Sequence, residues 1–216
     1  MKIKHSINTH KLLTFAFVLG LMVFYDNFTI AAWVYLALHG TYGIMWLLKD
    51  SLYPDKQWEA ETSIPMGIFN FIMLGLYWVA PFLLISNYVE PPFALIAAAI
   101  AINITGTVLH YGSDAQKYFT LKHRSGLITE GFFSRSRNPN YLGEILIYLS
   151  FALLAQHWLP FVILGFVVAT TLVPNMLKKD KSLSRYSEFA AYKERSGILL
   201  PKIFISHSTS SATADS

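Results

Sequence analysis

The chain has 216 residues, of which 54% are hydrophobic and 14% charged, with a net charge of +4. Water-soluble domains carry about 25% charged residues, so this chain lacks the polar material to cover a water-facing globule. It has no cysteine, which excludes a disulfide framework, a thiolate metal site and a cysteine nucleophile.

Long apolar runs cover residues 11–25, 28–48, 66–86, 93–112, 141–157 and 158–177. A helix that crosses ~30 Å of hydrocarbon needs roughly 20 residues, so these runs predict an all-α integral membrane protein of about six transmembrane helices. The first two runs are separated only by Asp26-Asn27 and read as a tight hairpin. The last two meet at Gln156-His157-Trp158, ahead of Pro160. A count of four or five spans holds if either hairpin is re-entrant. No cleavage site follows the first run, so it is read as a retained span rather than a signal peptide.

The basic residues are sorted by segment. Lys and Arg number three in residues 1–11, two in residues 49–65, five in residues 113–140 and seven after residue 177. The alternate turns carry none. Basic loops mark the cytosolic side, which predicts cytosolic termini, in the endoplasmic reticulum membrane of a eukaryote or the inner membrane of a bacterium. Residues 1–204 read as one polytopic domain, and 205–216, rich in Ser, Thr and Ala, as a disordered tail.

Two loop-side stretches are rich in specific polar residues, 110–144 and 174–204. In the first, Asn138 reads as a helix N-cap with Pro139 at the first helical position. The free amides there, with Arg135 and Arg137, make a candidate anion site suited to phosphate. Asn140, Glu144 and Tyr148 recur at i, i+4 and i+8 and predict a polar stripe descending into the bundle. A carboxylate in a membrane span is costly and faces a cavity or partner as a rule, which singles out Glu144. Gly143 beside it admits a close backbone or ligand approach. In the second stretch, Leu183, Tyr186, Phe189 and Tyr192 recur every three residues, which predicts an amphipathic interfacial helix closed by Gly197 and Pro201. Asp180, Arg185 and Arg195 are placed to close over a ligand. His39, Tyr42 and Trp46 share one face of the second span. The seven histidines show no ligand spacing, so no metal is expected.

The run Arg137-Asn138-Pro139-Asn140-Tyr141-Leu142-Gly143-Glu144, followed by an apolar hairpin and a segment with Asp180, Tyr186, Tyr192 and Pro201, resembles a C-terminal module of membrane enzymes. One group is the steroid 5-alpha-reductase and sterol reductase proteins, which use NADPH. Another is the isoprenylcysteine carboxyl methyltransferase and phospholipid methyltransferase proteins, which use S-adenosylmethionine. The likeness covers roughly residues 110–204. Where the methyltransferases carry a Glu-Glu pair, this chain has Lys178-Lys179-Asp180. Where sterol reductases carry an Asn-x-Gln-Lys-like segment, it has the similar Asp114-Ala115-Gln116-Lys117.

The resemblance implies an NADPH-dependent reductase of a steroid, sterol or enoyl lipid, with an S-adenosylmethionine-dependent methyltransferase and a non-enzymatic scaffold as alternatives. It implies cofactor contacts from Lys117, Arg135, Arg137, Asn138, Asn140, Tyr141, Gly143, Asp180, Tyr186, Tyr192 and Arg195. Glu144 and Tyr42 are the candidates for polarising the substrate. The expected partners are a lipid-like small molecule and the membrane, with no nucleic acid. Oligomeric state is not legible in the sequence.

Overall fold

The computed structural model describes residues 1–202; the expected tail at 205–216 lies outside them. The described residues are helical, with no strand beyond two isolated β-bridges. The helices are α1 (Ile3–Phe24), α2 (Ile30–Leu52), α3 (Ile64–Gly75), α4 (Val79–Ser86), α5 (Phe93–His123), α6 (Pro139–Ala155), α7 (Trp158–Val167), α8 (Val173–Leu183) and α9 (Phe189–Arg195). Helices α3 and α4 are halves of one span, Ile64–Ser86, joined by a 3-10 turn at Leu76–Trp78. Helices α7 and α8 likewise form one span, Trp158–Leu183, through a π-helical turn at Val168–Leu172.

Helices α1, α2 and α5 and these two composite spans are long and apolar enough to cross a membrane, five among the described residues, and α6 is a shorter apolar helix of 17 residues. Large apolar side chains such as Phe24, Ile72, Phe93 and Trp158 point outward. Polar side chains including His10, Lys11, His39 and Asn103 are buried. That inversion of a soluble protein's pattern suits a bundle solvated by lipid.

Two turns stand at one end of the bundle. Asp26 takes a left-handed backbone conformation, and buried Asn27 donates to the Ile85 carbonyl at 2.8 Å while accepting from the Thr29 hydroxyl at 2.9 Å. The Tyr88 hydroxyl donates to the Tyr25 carbonyl. At the other end, the Thr62 amide donates to the Met1 carbonyl at 2.7 Å, and Lys2 and Lys4 both donate to Glu59. Those hydrogen bonds, from Lys2 first and then Lys4, hold the Glu59 carboxyl down to about 2. Lys117 pairs with Asp55 at 3.6 Å at the same end.

The structure moves several expected boundaries. Helix α1 begins at Ile3 rather than 11, which draws Lys11 into the bundle. Helix α5 runs on to His123, so the first part of the expected loop 113–140 is helix. At 31 residues it is about 46 Å long, more than the hydrocarbon needs. The amphipathic helix expected through Leu183–Tyr192 is divided: α8 ends at Leu183 and the short α9 starts at Phe189. Phe189 and Tyr192 turn inward, and the Tyr192 hydroxyl donates to the Phe133 carbonyl at 2.6 Å. Packing against the loop before α6 overrides the three-residue spacing.

Helices α5 and α6 approach most closely. A Cβ on Gly143 would lie 2.5 Å from the Gly106 carbonyl oxygen, so both glycines serve backbone contact. Asn103 donates to the Ser150 hydroxyl at 2.9 Å across the same seam.

Candidate functional site

Three polar features are stacked through the loop-side half of the bundle. The outermost is a clamp. The Arg137 side chain, 5% exposed, donates from Nε to Asp180 Oδ1 and from Nη2 to Asp180 Oδ2, each at 2.9 Å. Its Nη1 donates to the Ser196 carbonyl at 2.5 Å, and Lys179 donates to the Arg137 carbonyl at 2.7 Å. The Arg137 amide donates to the Gly197 carbonyl and the Gly197 amide to the Arg135 carbonyl, both at 2.9 Å. Asn138 adds a 2.7 Å bond to the Ile198 carbonyl. The loop before α6 and the segment after α9 are therefore one stitched unit. Within it, burial pushes the Tyr192 phenol up to about 12.

The second feature is a cavity of about 320 Å³ between the ends of α2 and α5, lined by Lys49, Tyr53, Lys56, Asp114, Lys117 and Lys122 among others. Its floor is an ion pair between Lys49 and Asp114, 4% and 5% exposed. Asp114 Oδ1 is buried with no partner among the described residues. Lys56, Lys117 and Lys122 stand above that floor, with Lys117 paired to Asp55, which also lines the cavity, so the lining keeps a surplus of positive charge that suits phosphate oxygens.

The third lies deeper. Lys11 of α1, 4% exposed, donates to the Tyr148 hydroxyl of α6 at 2.8 Å. Its Nζ stands 4.1 Å from the centre of the Tyr42 ring and 5.6 Å from that of Trp46. The Lys49 ammonium is 4.9 Å from the same Trp46 ring, so this indole links cavity floor and interior. Tyr77, on the 3-10 turn of the third span, stacks on Tyr148 at 3.7 Å. The His110 ring bonds the Asn140 carbonyl oxygen at 3.0 Å, beneath the start of α6.

The expected residues divide among these features. Arg137, Asn138, Asp180 and Tyr192 belong to the clamp, and the Arg137 guanidinium is occupied by protein partners. Arg135 and Arg195 are exposed and Tyr186 is half-buried, apart from both inner features. Lys117 lines the cavity. Tyr42 is buried in the deep cluster, and Glu144 is half-buried with no salt-bridge partner among the described residues. Tyr141 lies within electrostatic range of Glu144, Asp55 and Asp114, which ties the cavity to the interior. Asn140 Oδ1 is buried with no partner among the described residues. Gly143 is taken up by the α5 backbone.

Sequence reasoning missed Lys11 and Lys49. A signal for Lys11 existed: Ile7, Lys11, Thr14, Val18 and Met22 form the buried stripe of α1, at spacings of three and four residues. A lysine in that register is an interior residue.

Residues 28–196 match the family described as Protein of unknown function (DUF1295). The chain belongs to this family. Over 123 residues it is 45% identical to an uncharacterised protein of Schizosaccharomyces pombe, covering 54% of this chain and 44% of that one. Over 130 residues it is 28% identical to a Delta(14)-sterol reductase of Methylotuvimicrobium alcaliphilum, covering 50% of this chain and 30% of the reductase. The chain thus spans less than half the length of either curated relative. The second of them is a distant relative that bears the sterol reductase name.

Proposed function

We propose that this protein is a membrane-embedded, NADPH-dependent reductase of an unsaturated lipid. The observation that carries the reading is the four-lysine cavity at the mouth of a bundle whose interior holds a second polar cluster. Similarity to a sterol reductase supports it. A dinucleotide carrying a diphosphate and a 2′-phosphate calls for several cations, and Lys56 and Lys122, with Lys117 beside Asp55 and Lys49 beside Asp114, leave a surplus of positive charge to meet it. S-adenosylmethionine, with one carboxylate and its own positive charge, does not. The unpartnered Oδ1 atoms of Asn138 and Asn140 would accept hydrogen bonds from amide or hydroxyl groups.

When bound, a reduced nicotinamide supplies a hydride. The chain's own part is to hold phosphates at the lysines, to exclude water by burying the deep cluster, and to orient and protonate the substrate. Glu144 lies one turn below Asn140 on α6, beside Tyr141 and in electrostatic range of Lys11. It and Tyr42 remain the groups proposed to polarise the substrate. The Arg137–Asp180 clamp holds α6 and α8 in register. The basic loops support a cytosolic position for this end of the bundle.

The test uses purified protein in lipid nanodiscs. NADPH oxidation is followed with sterol, steroid and enoyl-lipid substrates, and transfer of a labelled methyl group from S-adenosylmethionine is followed in parallel. Reduction without methyl transfer supports the proposal; methyl transfer without reduction defeats it.

A further inference from the structure

Helix α2 ends at a proline. Pro54 disfavours helical backbone at Tyr53, which takes φ −146° and turns the chain across the end of the bundle. The Tyr53 ring packs against Tyr118 and Phe119 of α5, with centroids 6.4 and 6.2 Å apart. Asp55 and Lys56 follow and line the cavity together with Lys117 and Lys122 of α5. After a 3-10 turn at Lys56–Glu59 the chain is moored again. Glu59 accepts from Lys2 and Lys4, and the Ala60 carbonyl accepts from the Ile3 amide at 3.0 Å. Asp55 is thus carried on a short segment fixed at both ends.

The cavity lining carries two carboxylates, and they are not equivalent. Asp114 meets Lys49 at the floor, where both side chains are 5% exposed. Asp55 meets Lys117 at 3.6 Å, farther than a good hydrogen bond reaches, with side chains 18% and 35% exposed. Its Oδ2 has one other side-chain partner among the described residues, the Gln57 amide at 3.4 Å. A buried pair cannot part without stranding a charge, whereas a partly exposed pair is a weak tie that another ion or water readily replaces. Lys56 and Lys122 have no carboxylate within salt-bridge distance among the described residues. The cavity therefore offers two ammonium groups outright and a third, Lys117, that is lightly held.

We infer that Asp55 is a built-in counter-anion that sets the charge a ligand must bring: it neutralises Lys117 until a phosphate group takes its place. This rests on the reading of the cavity as a phosphate site, and it names the ligand class as one with two or more phosphate groups. Such a ligand has acceptors for Lys56 and Lys122 as well as for Lys117. It also brings more charge and more oxygens than the single carboxylate it displaces, and charge-assisted bonds to phosphate are among the strong ones. Asp55 then turns toward solvent, where its repulsion of the ligand is screened. A ligand with one carboxylate only repeats what Asp55 already supplies, so it has no advantage at Lys117. The aspartate is a specificity determinant that admits polyanions and turns away monoanions.

The test needs neither cofactor nor turnover. The probe is inorganic pyrophosphate, titrated by calorimetry into the full chain in nanodiscs at low ionic strength. Asp55→Asn is expected to tighten pyrophosphate binding about three- to fivefold, and Asp55→Glu, which keeps the charge, to stay near wild type. Lys117→Gln should weaken binding, and adding Asp55→Asn to it should change affinity by less than about twofold, because the contested ammonium is gone. Simple repulsion by Asp55 would instead tighten binding equally with and without Lys117. At matched ionic strength, acetate should compete with pyrophosphate in Asp55→Asn and not in the wild type. Equal gains in both backgrounds, no gain in Asp55→Asn, or acetate competition in the wild type overturns the inference and leaves the phosphate site standing. Pyrophosphate bound by none of the variants defeats the phosphate site and the inference together.

Discussion

Arg137 and Asp180, 43 residues apart, meet in a two-point ion pair that ties the entrance of α6 to α8. The arginine side chain is 5% exposed and the aspartate 14%, so removing either one strands a charge out of water. Arg137→Ala should lower stability by about 3–5 kcal/mol, and Arg137→Lys should recover little because it lacks the planar fork. Arg135→Ala, at an exposed position, should stay within about 0.5 kcal/mol of wild type. Thermal unfolding in detergent, followed by tryptophan fluorescence, measures all three. Equal stability of Arg135→Ala and Arg137→Ala would contradict the clamp.

The pair at the cavity floor makes a sharper prediction. Lys49 and Asp114 are each 5% exposed at the side chain. Asp114→Leu alone should destabilise by about 3–5 kcal/mol, because it leaves a buried ammonium unpaired. Lys49→Met combined with Asp114→Leu should regain most of that loss, since both charges then leave together. The double variant should still fold and yet bind NADPH more weakly. A double-mutant cycle with no coupling would refute the pairing.

On the proposed reductase function, the lysines at the rim should be the positions to which NADPH binding is most sensitive. Lys117→Ala and Lys122→Ala should each weaken NADPH binding about three- to tenfold, and raised salt should shrink the difference. Calorimetry at low and high ionic strength checks this. Unchanged binding in the combined variant would move the phosphates elsewhere, with Arg135 the next candidate.

Topology is open to direct labelling because the chain carries no cysteine. Lys2→Cys and Glu90→Cys should lie on opposite faces of the membrane, as the bundle places Met1 beside Thr62 and the Tyr88 turn beside Tyr25. A membrane-impermeant maleimide applied to intact cells or sealed vesicles should reach Glu90→Cys from the outer or lumenal face and spare Lys2→Cys. Labelling of Lys2→Cys alone would invert the assignment.

Much of this architecture was legible along the chain. Apolar runs of membrane length, and the gathering of every Lys and Arg into alternate segments, follow from transfer free energies that each segment obeys locally. The Asn138-Pro139 start of α6, the Asp26-Asn27 hairpin and the polar register of Tyr42 and Tyr148 are local in the same sense. The 3-10 break at Leu76–Trp78 and the division at Ser184–Glu188 were not, because packing against distant helices and loops decides them.

The chemistry of individual charges was decided only in three dimensions. By sequence, Lys11 was a flanking basic residue and Arg137 a phosphate ligand. The structure buries Lys11 against Tyr148, 137 residues away, and gives the Arg137 guanidinium to Asp180 and Ser196. Composition and periodicity specify which segments enter the lipid, since that free energy is summed along each helix. The partner of a buried charge depends on distance and desolvation between elements far apart in the chain, and those exist only once the bundle has closed.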